Sequence, residues 1–107
     1  MNRSFNPAIL MRLRQMASED VLTLLAEHLK ADPTYVPAKD GCSRRWHVRT
    51  SRGEFELLTT GVKWWDTRSK KGGGGSIDLT MHVRGLPFVD AVKLLISLVG
   101  PGGPDHP

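Results

Sequence analysis

Cys42 is the only cysteine in the chain. No intramolecular disulfide framework can form, and this usage fits a reducing cytoplasm. Long apolar runs are missing as well: nothing approaches the roughly 18 consecutive residues that a membrane helix needs. The N-terminus, Met1-Asn2-Arg3-Ser4-Phe5-Asn6-Pro7, has no apolar core and no small-residue cleavage site, so secretion is not expected.

Catalytic and cofactor signatures are equally thin. Cys42, His47, His82 and His106 are the candidate soft metal ligands. A structural zinc site wants two close pairs such as Cys-x-x-Cys. Cys42 and His47 form one near pair with the wrong spacing, so no metal is expected. Cys42 stands close to Arg44 and Arg45, which would lower a thiol pKa, but no partner base is implied. The carboxylates are scattered and offer no two-metal phosphoryl-transfer centre. The glycines at 72–75 follow the lysines rather than precede them, so they do not make a P-loop. Nor is there a Gly-x-Gly-x-x-Gly with a downstream ribose-binding acid. No cofactor is implied, and an enzyme is the weakest of the functional options.

What the chain does have is an uneven charge. Over 107 residues the net charge is +4, and the whole excess lies in the middle third. Residues 1–38 carry four basic and four acidic side chains, whereas 39–71 carry nine basic against four acidic. A local basic field favours a phosphate-bearing partner through counterion release and steering. A solvated face without a partner would look the same by charge alone. The densest stretch is Lys63-Trp64-Trp65-Asp66-Thr67-Arg68-Ser69-Lys70-Lys71, running into Gly72-Gly73-Gly74-Gly75. Basic side chains track phosphates, and aromatic rings are platforms on which unpaired bases stack. Arg44, Arg45, Arg49 and Arg52 lie on neighbouring predicted strands and extend the same pattern.

The length suits one small domain with a single modest core. Ile9, Leu10 and Leu13 suit one side of a short helix after Pro7, although 1–17 reads ambiguously and is taken as an extension. Ser18 looks like an N-cap, with Glu19 and Asp20 in the first turn. Val21, Leu22, Leu25 and Leu29 recur at helical spacing, so a helix is predicted over 19–31, ended by Asp32-Pro33. His28 falls near its apolar stripe and reads as a core-edge residue. Tyr35-Val36 is a candidate short strand, and Asp40-Gly41 a turn.

Residues 46–50 alternate, with Trp46, Val48 and Thr50 on one face and His47 and Arg49 on the other. Ser51-Arg52-Gly53 turns the chain into a returning strand over 54–58. Thr60-Gly61 turns it again into a third strand over 62–66. Adjacent residues of a strand point to opposite faces, so one of Trp64 and Trp65 is core and the other exposed. The glycines read as a tight strand-to-helix turn, or as backbone that approaches a phosphate. Ser76 would cap a short helix that buries Ile77 and Met81 and stops at Gly85. Pro87 opens a last helix with Phe88, Ala91, Val92, Leu95 and Val99 on one face. Residues 100–107 read as a disordered tail. The predicted class is α+β: an N-terminal helix, a small antiparallel meander, a glycine-rich turn and two C-terminal helices.

That order of elements, and above all Trp64-Trp65-Asp66, a basic spacer, Gly72–Gly75, Ser76-Ile77-Asp78-Leu79-Thr80-Met81 and Gly85-Leu86-Pro87-Phe88-Val89-Asp90-Ala91-Val92, resembles the zinc-binding domain of DnaG-type bacterial primases. The resemblance covers residues 18–99 and is most specific over 72–95. Members of that family bind zinc through a Cys/His pair on the first hairpin and a Cys-x-x-Cys pair near the glycine turn. Here Arg44 to Arg49 and Trp65 to Arg68 stand in those neighbourhoods, and no ligand set survives. The chain is therefore similar to metal-free variants found in plasmid and mobile-element replication or mobilisation proteins. The family's catalysis resides in a separate Toprim-type domain that these residues do not include.

The resemblance thus implies a cytoplasmic, non-catalytic module that binds single-stranded DNA during replication or priming of a plasmid or other mobile element. A primase, polymerase, helicase or relaxase would act in trans. The expected contacts are Arg44, Arg45, Arg49, Arg52, Lys63, Arg68, Lys70 and Lys71 on phosphates, with Trp64 or Trp65 on a base. An adaptor that docks onto such an enzyme through its last helix and an exposed tryptophan is the alternative.

Overall fold

A computed structural model describes residues 5–37, 41 and 43–99. Among these the chain is α+β, with helices α1 (Pro7–Arg14), α2 (Ser18–Leu25), α3 (Ser76–Arg84) and α4 (Phe88–Val99). Strands β1 (His28–Ala31), β2 (Arg44–Thr50), β3 (Gly53–Thr60), β4 (Lys63–Asp66) and β5 (Lys71–Gly74) lie between α2 and α3. They form one antiparallel sheet in the order β1-β2-β3-β4-β5. From β2 to β5 the sequential order follows from short turns, because antiparallel neighbours can be joined without a crossover, whereas residues 32–43 connect β1 to β2. The proposed turn at Asp40-Gly41, Cys42 and the tail over 100–107 fall wholly or partly outside the described residues.

From Phe5 onward the N-terminal residues pack against the core, with Leu13 and Met16 inside it. The Asn6 side chain accepts a hydrogen bond from the Ala8 N–H at 2.8 Å, and Pro7 occupies the first turn. The helix thus started places Leu13 fully out of solvent, followed by Met16. Helix α2 is shorter than its periodicity suggests. It ends at Leu25, and the Glu27 N–H turns to the Arg49 carbonyl. His28 to Ala31 then pair with Arg49 to Trp46 as an edge strand. Leu29 satisfies a helical and an alternating pattern equally, and the free edge of β2 decides between them. In consequence His28 is exposed on the sheet rather than set at the core edge. Ser18 and Ser76 are not caps either. The Ser18 hydroxyl donates to the Lys63 carbonyl and the Ser76 hydroxyl to that of Leu13, so both tie helix starts to neighbouring elements. Tyr35-Val36 is loop.

All four helices serve one face of the sheet. Val48, Leu57 and Trp64 project from it into a core completed by Leu13, Leu22, Ile77, Leu79, Val83, Ala91 and Leu95. Full burial of the leucine, isoleucine and valine side chains among them is worth about 1.5–3 kcal/mol each. Helix α3 is the hub, with Ile77, Leu79, Thr80 and Val83 all buried and α4 packed on its far side. Its buried polar groups are paired. The Thr80 hydroxyl donates to the Ser76 carbonyl and that of Thr50 to the Val83 carbonyl, both at 2.7 Å. Gly85, at φ 64, closes α3 as its left-handed cap.

The glycine run is not the turn it resembles. Lys71 to Gly74 make strand β5, in register with Asp66 to Lys63, and the turn comes earlier, over 67–70. Lys70 takes that turn's left-handed position at φ 58. Two of the glycines, Gly72 and Gly73, are required by their partners. A Cβ on Gly72 would lie 2.6 Å from Cε3 of Trp65 and 2.8 Å from the Trp64 carbonyl oxygen. A Cβ on Gly73 would lie 3.0 Å from the Trp64 ring. Each tryptophan lies over the glycine paired with it, on opposite faces of the sheet.

Candidate nucleic-acid interface

The face of the sheet away from the helices is open. Alternation places Arg45, His47 and Arg49 of β2 there, with Glu54, Glu56, Leu58 and Thr60 of β3 and Lys63 and Trp65 of β4. Trp64 faces the helices and is 6 % exposed, whereas Trp65 is 45 % exposed. Of the two tryptophans in the expected site, Trp65 alone has a ring available to a ligand. Trp64 is stacked on His82 with ring centroids 4.9 Å apart. Trp46 also belongs to the helix side, its indole N–H donating to Thr59 at 3.0 Å.

Beside Trp65 runs a mainly apolar trough of about 530 Å³. Leu58 and Thr60 line one side, glycines 72–74 the other, and Lys63 one end. Small and absent side chains make the hollow, because Gly72 and Gly74 contribute nothing that rises above the sheet. Ser43 and Thr60, whose hydroxyls lie 2.6 Å apart, add a polar rim.

The basic residues do not form one strip. Arg45 donates to Glu56 at 2.9 Å and lies 3.5 Å from Asp32, so its charge is used within the sheet face. His47 sits between the same two carboxylates, at 3.9 and 4.0 Å. Both acids are held below the ordinary carboxylate range, Asp32 by hydrogen bonds from Thr34 and Glu56 by bonds from Thr67 and then Arg45. Arg44 lies 3.5 Å from Glu19 on an exposed edge, an ion pair of small worth. Arg49, Lys63, Arg68 and Lys70 have no ion-pair partner among the described residues. Arg49 and Arg68 meet at a smaller depression with His28 and His47, on the same face as Trp65. Arg52 and Lys71 lie elsewhere. They line a hollow on the helix side of β5, with the Arg52 side chain against Gly85.

The group that anchors the basic turn is Asp66, which the sequence reading did not single out. Asp66 is buried on the helix side, and its Oδ1 accepts the N–H groups of Arg68 at 2.9 Å and Ser69 at 3.1 Å. Its Oδ2 lies 2.6 Å from Nε2 of His82 on α3. Burial pushes the Asp66 carboxyl up, but the His82 bond and the two backbone donors outweigh it and leave the group lowered. An Asp ahead of Thr-Arg-Ser does signal a side-chain-closed turn. Its partner sixteen residues on could come only from the packing of α3. His47 and His82 lie on opposite faces of the sheet, and among the described residues no three His, Cys, Asp or Glu side chains gather as a metal site.

As a chemical surface this face offers one free aromatic ring, an apolar trough and several unpaired cations around a charge-balanced centre. No helix among the described residues is long and apolar enough to cross a membrane. No family model, curated protein or solved structure matches the chain.

Proposed function

We propose that the open sheet face binds single-stranded DNA without catalysing a reaction on it, as an accessory module in replication or priming of a plasmid or other mobile element. The observation that carries this reading is Trp65, half exposed on an open sheet beside a trough that glycines keep clear. A base stacks on the outer face of that ring, a contact worth about 1–3 kcal/mol. Lys63, Arg49, Arg68 and Lys70 receive phosphates. Duplex DNA would not offer its base faces to such a surface, so the preference is for unpaired strands. The resemblance to the primase zinc-binding domain supports the replication context and a cytoplasmic place of action. It also supports a primase, polymerase, helicase or relaxase as the protein acting in trans. The adaptor alternative gains less, because α4 and Trp65 lie on opposite sides of the sheet and make no single docking surface.

Fluorescence anisotropy with a labelled single strand tests the proposal. Binding should weaken as salt rises, with a slope of about −0.7 per phosphate contact. Trp65→Ala should cost about 1–3 kcal/mol of affinity while leaving the fold intact. Salt-independent binding, or a Trp65→Ala protein that binds as well as the parent, refutes it.

A further inference from the structure

A second hollow, of about 560 Å³, lies on the helix side of β5. It is lined by Arg52 from the β2–β3 turn, Lys71 from β5, Asp78 and His82 from α3, and it shares Trp64 and Gly72 with the trough on the other face. The two depressions therefore back onto each other across β5. That strand is a free edge of the sheet, and from Gly72 to Gly74 it has no side chains. A free edge presents N–H groups that the sheet does not use, and such groups are ready donors to phosphate oxygens. Nothing rises from the edge to keep a second backbone away. Arg52 and Lys71 have no ion-pair partner among the described residues, although Asp78 shares their hollow.

We infer that the helix-side hollow is a second subsite for the sugar–phosphate backbone of the same single strand, which passes from the Trp65 trough over the glycine edge of β5 to Arg52 and Lys71. This inference rests on the open-face reading and extends it. The glycines then serve twice, seating the tryptophans and leaving the edge low enough to cross. Asp78 opposes the bound phosphate and keeps the subsite weak, so the strand is held at Trp65 and only steadied beyond the edge. A second copy of the chain pairing along β5 is the competing use of this edge, and it would cover both depressions.

Oligodeoxythymidylates of about 4 and about 16 nucleotides separate the possibilities, since single-strand sites on small domains span that range. The longer strand should bind several-fold more tightly than the shorter. The Arg52→Ala/Lys71→Ala protein should lose that advantage and lower the salt slope for the longer strand by about 1.4, or about 0.7 for each contact. It should bind the shorter strand as the parent does. Asp78→Asn should tighten the longer strand alone. Equal affinity for both lengths in the parent overturns the inference. So does a double variant with unchanged slope, an Asp78→Asn protein that binds the longer strand more weakly, or a sedimenting dimer that dissociates when the longer strand binds. Failure of the parent to bind either length removes the open-face reading itself.

Discussion

Replacement of Gly72 by alanine bears directly on how the two tryptophans are seated. The added methyl would stand 2.6 Å from Cε3 of Trp65 and 2.8 Å from the Trp64 carbonyl oxygen, where ordinary contact begins at 3.4 Å. Both gaps must widen by more than about half an ångström. The half-exposed Trp65 ring can swing away, but the Trp64 carbonyl belongs to the sheet backbone and cannot move without disturbing it. Overpacking of this kind costs about 1–3 kcal/mol. In a domain of this size each kcal/mol lowers the melting temperature by about 4–8 °C. Gly74 provides the control, because a Cβ there meets nothing within 4 Å. Gly74→Ala should be neutral or stabilise by about 0.4–1 kcal/mol through the unfolded chain. Urea unfolding gives both stabilities, and tryptophan emission reports whether the Trp65 ring has lifted. If the two variants agree within about 0.5 kcal/mol, the glycines are only a permissive connection and the tryptophans are not seated on Gly72.

Asp66→Asn should remove part of the acid sensitivity. Because the folded Asp66 carboxyl is lowered, its stabilisation is present above the ordinary value of 3.8 and is lost as the pH falls through the folded value. Denaturation followed across that window should therefore be flatter in the variant, and a parallel curve would contradict the assignment. Lys70→Gly should stabilise by about 1 kcal/mol, since a left-handed φ of 58 strains lysine and not glycine. A loss of stability would show that the lysine side chain holds the turn. Trp64 buries an indole N–H with no partner. Trp64→Phe should thus cost less than half of the about 3–5 kcal/mol expected for Trp64→Ala, and equal losses by denaturant unfolding would disprove this.

Much of the architecture was legible because it is written locally. Alternation over 46–50, turns at 51–53 and 60–61, and the adjacency of Trp64 and Trp65 required a meander with one tryptophan on each face. The left-handed stop at Gly85 and the apolar stripe of the last helix are equally local. Leu29 was misleading because it fits a helical repeat and an alternating one alike, and a partner strand settled the matter. The glycine run was misleading because entropy argues against glycine in a strand, whereas here two indole rings cover it and supply the packing that glycine lacks.

By itself the sequence determined a small α+β domain whose excess positive charge and aromatic pair lie together in the middle of the chain. Only the tertiary structure decided which tryptophan is free, because that depends on which face of the sheet the helices cover. It also divided the basic residues. Arg45 is neutralised by Glu56 and Asp32, while Arg49, Lys63 and Trp65 share the open face, and Arg52 and Lys71 lie across the β5 edge. Sequence distance cannot convey that division, since a residue's face follows from strand register and its charge environment from neighbours that register brings together.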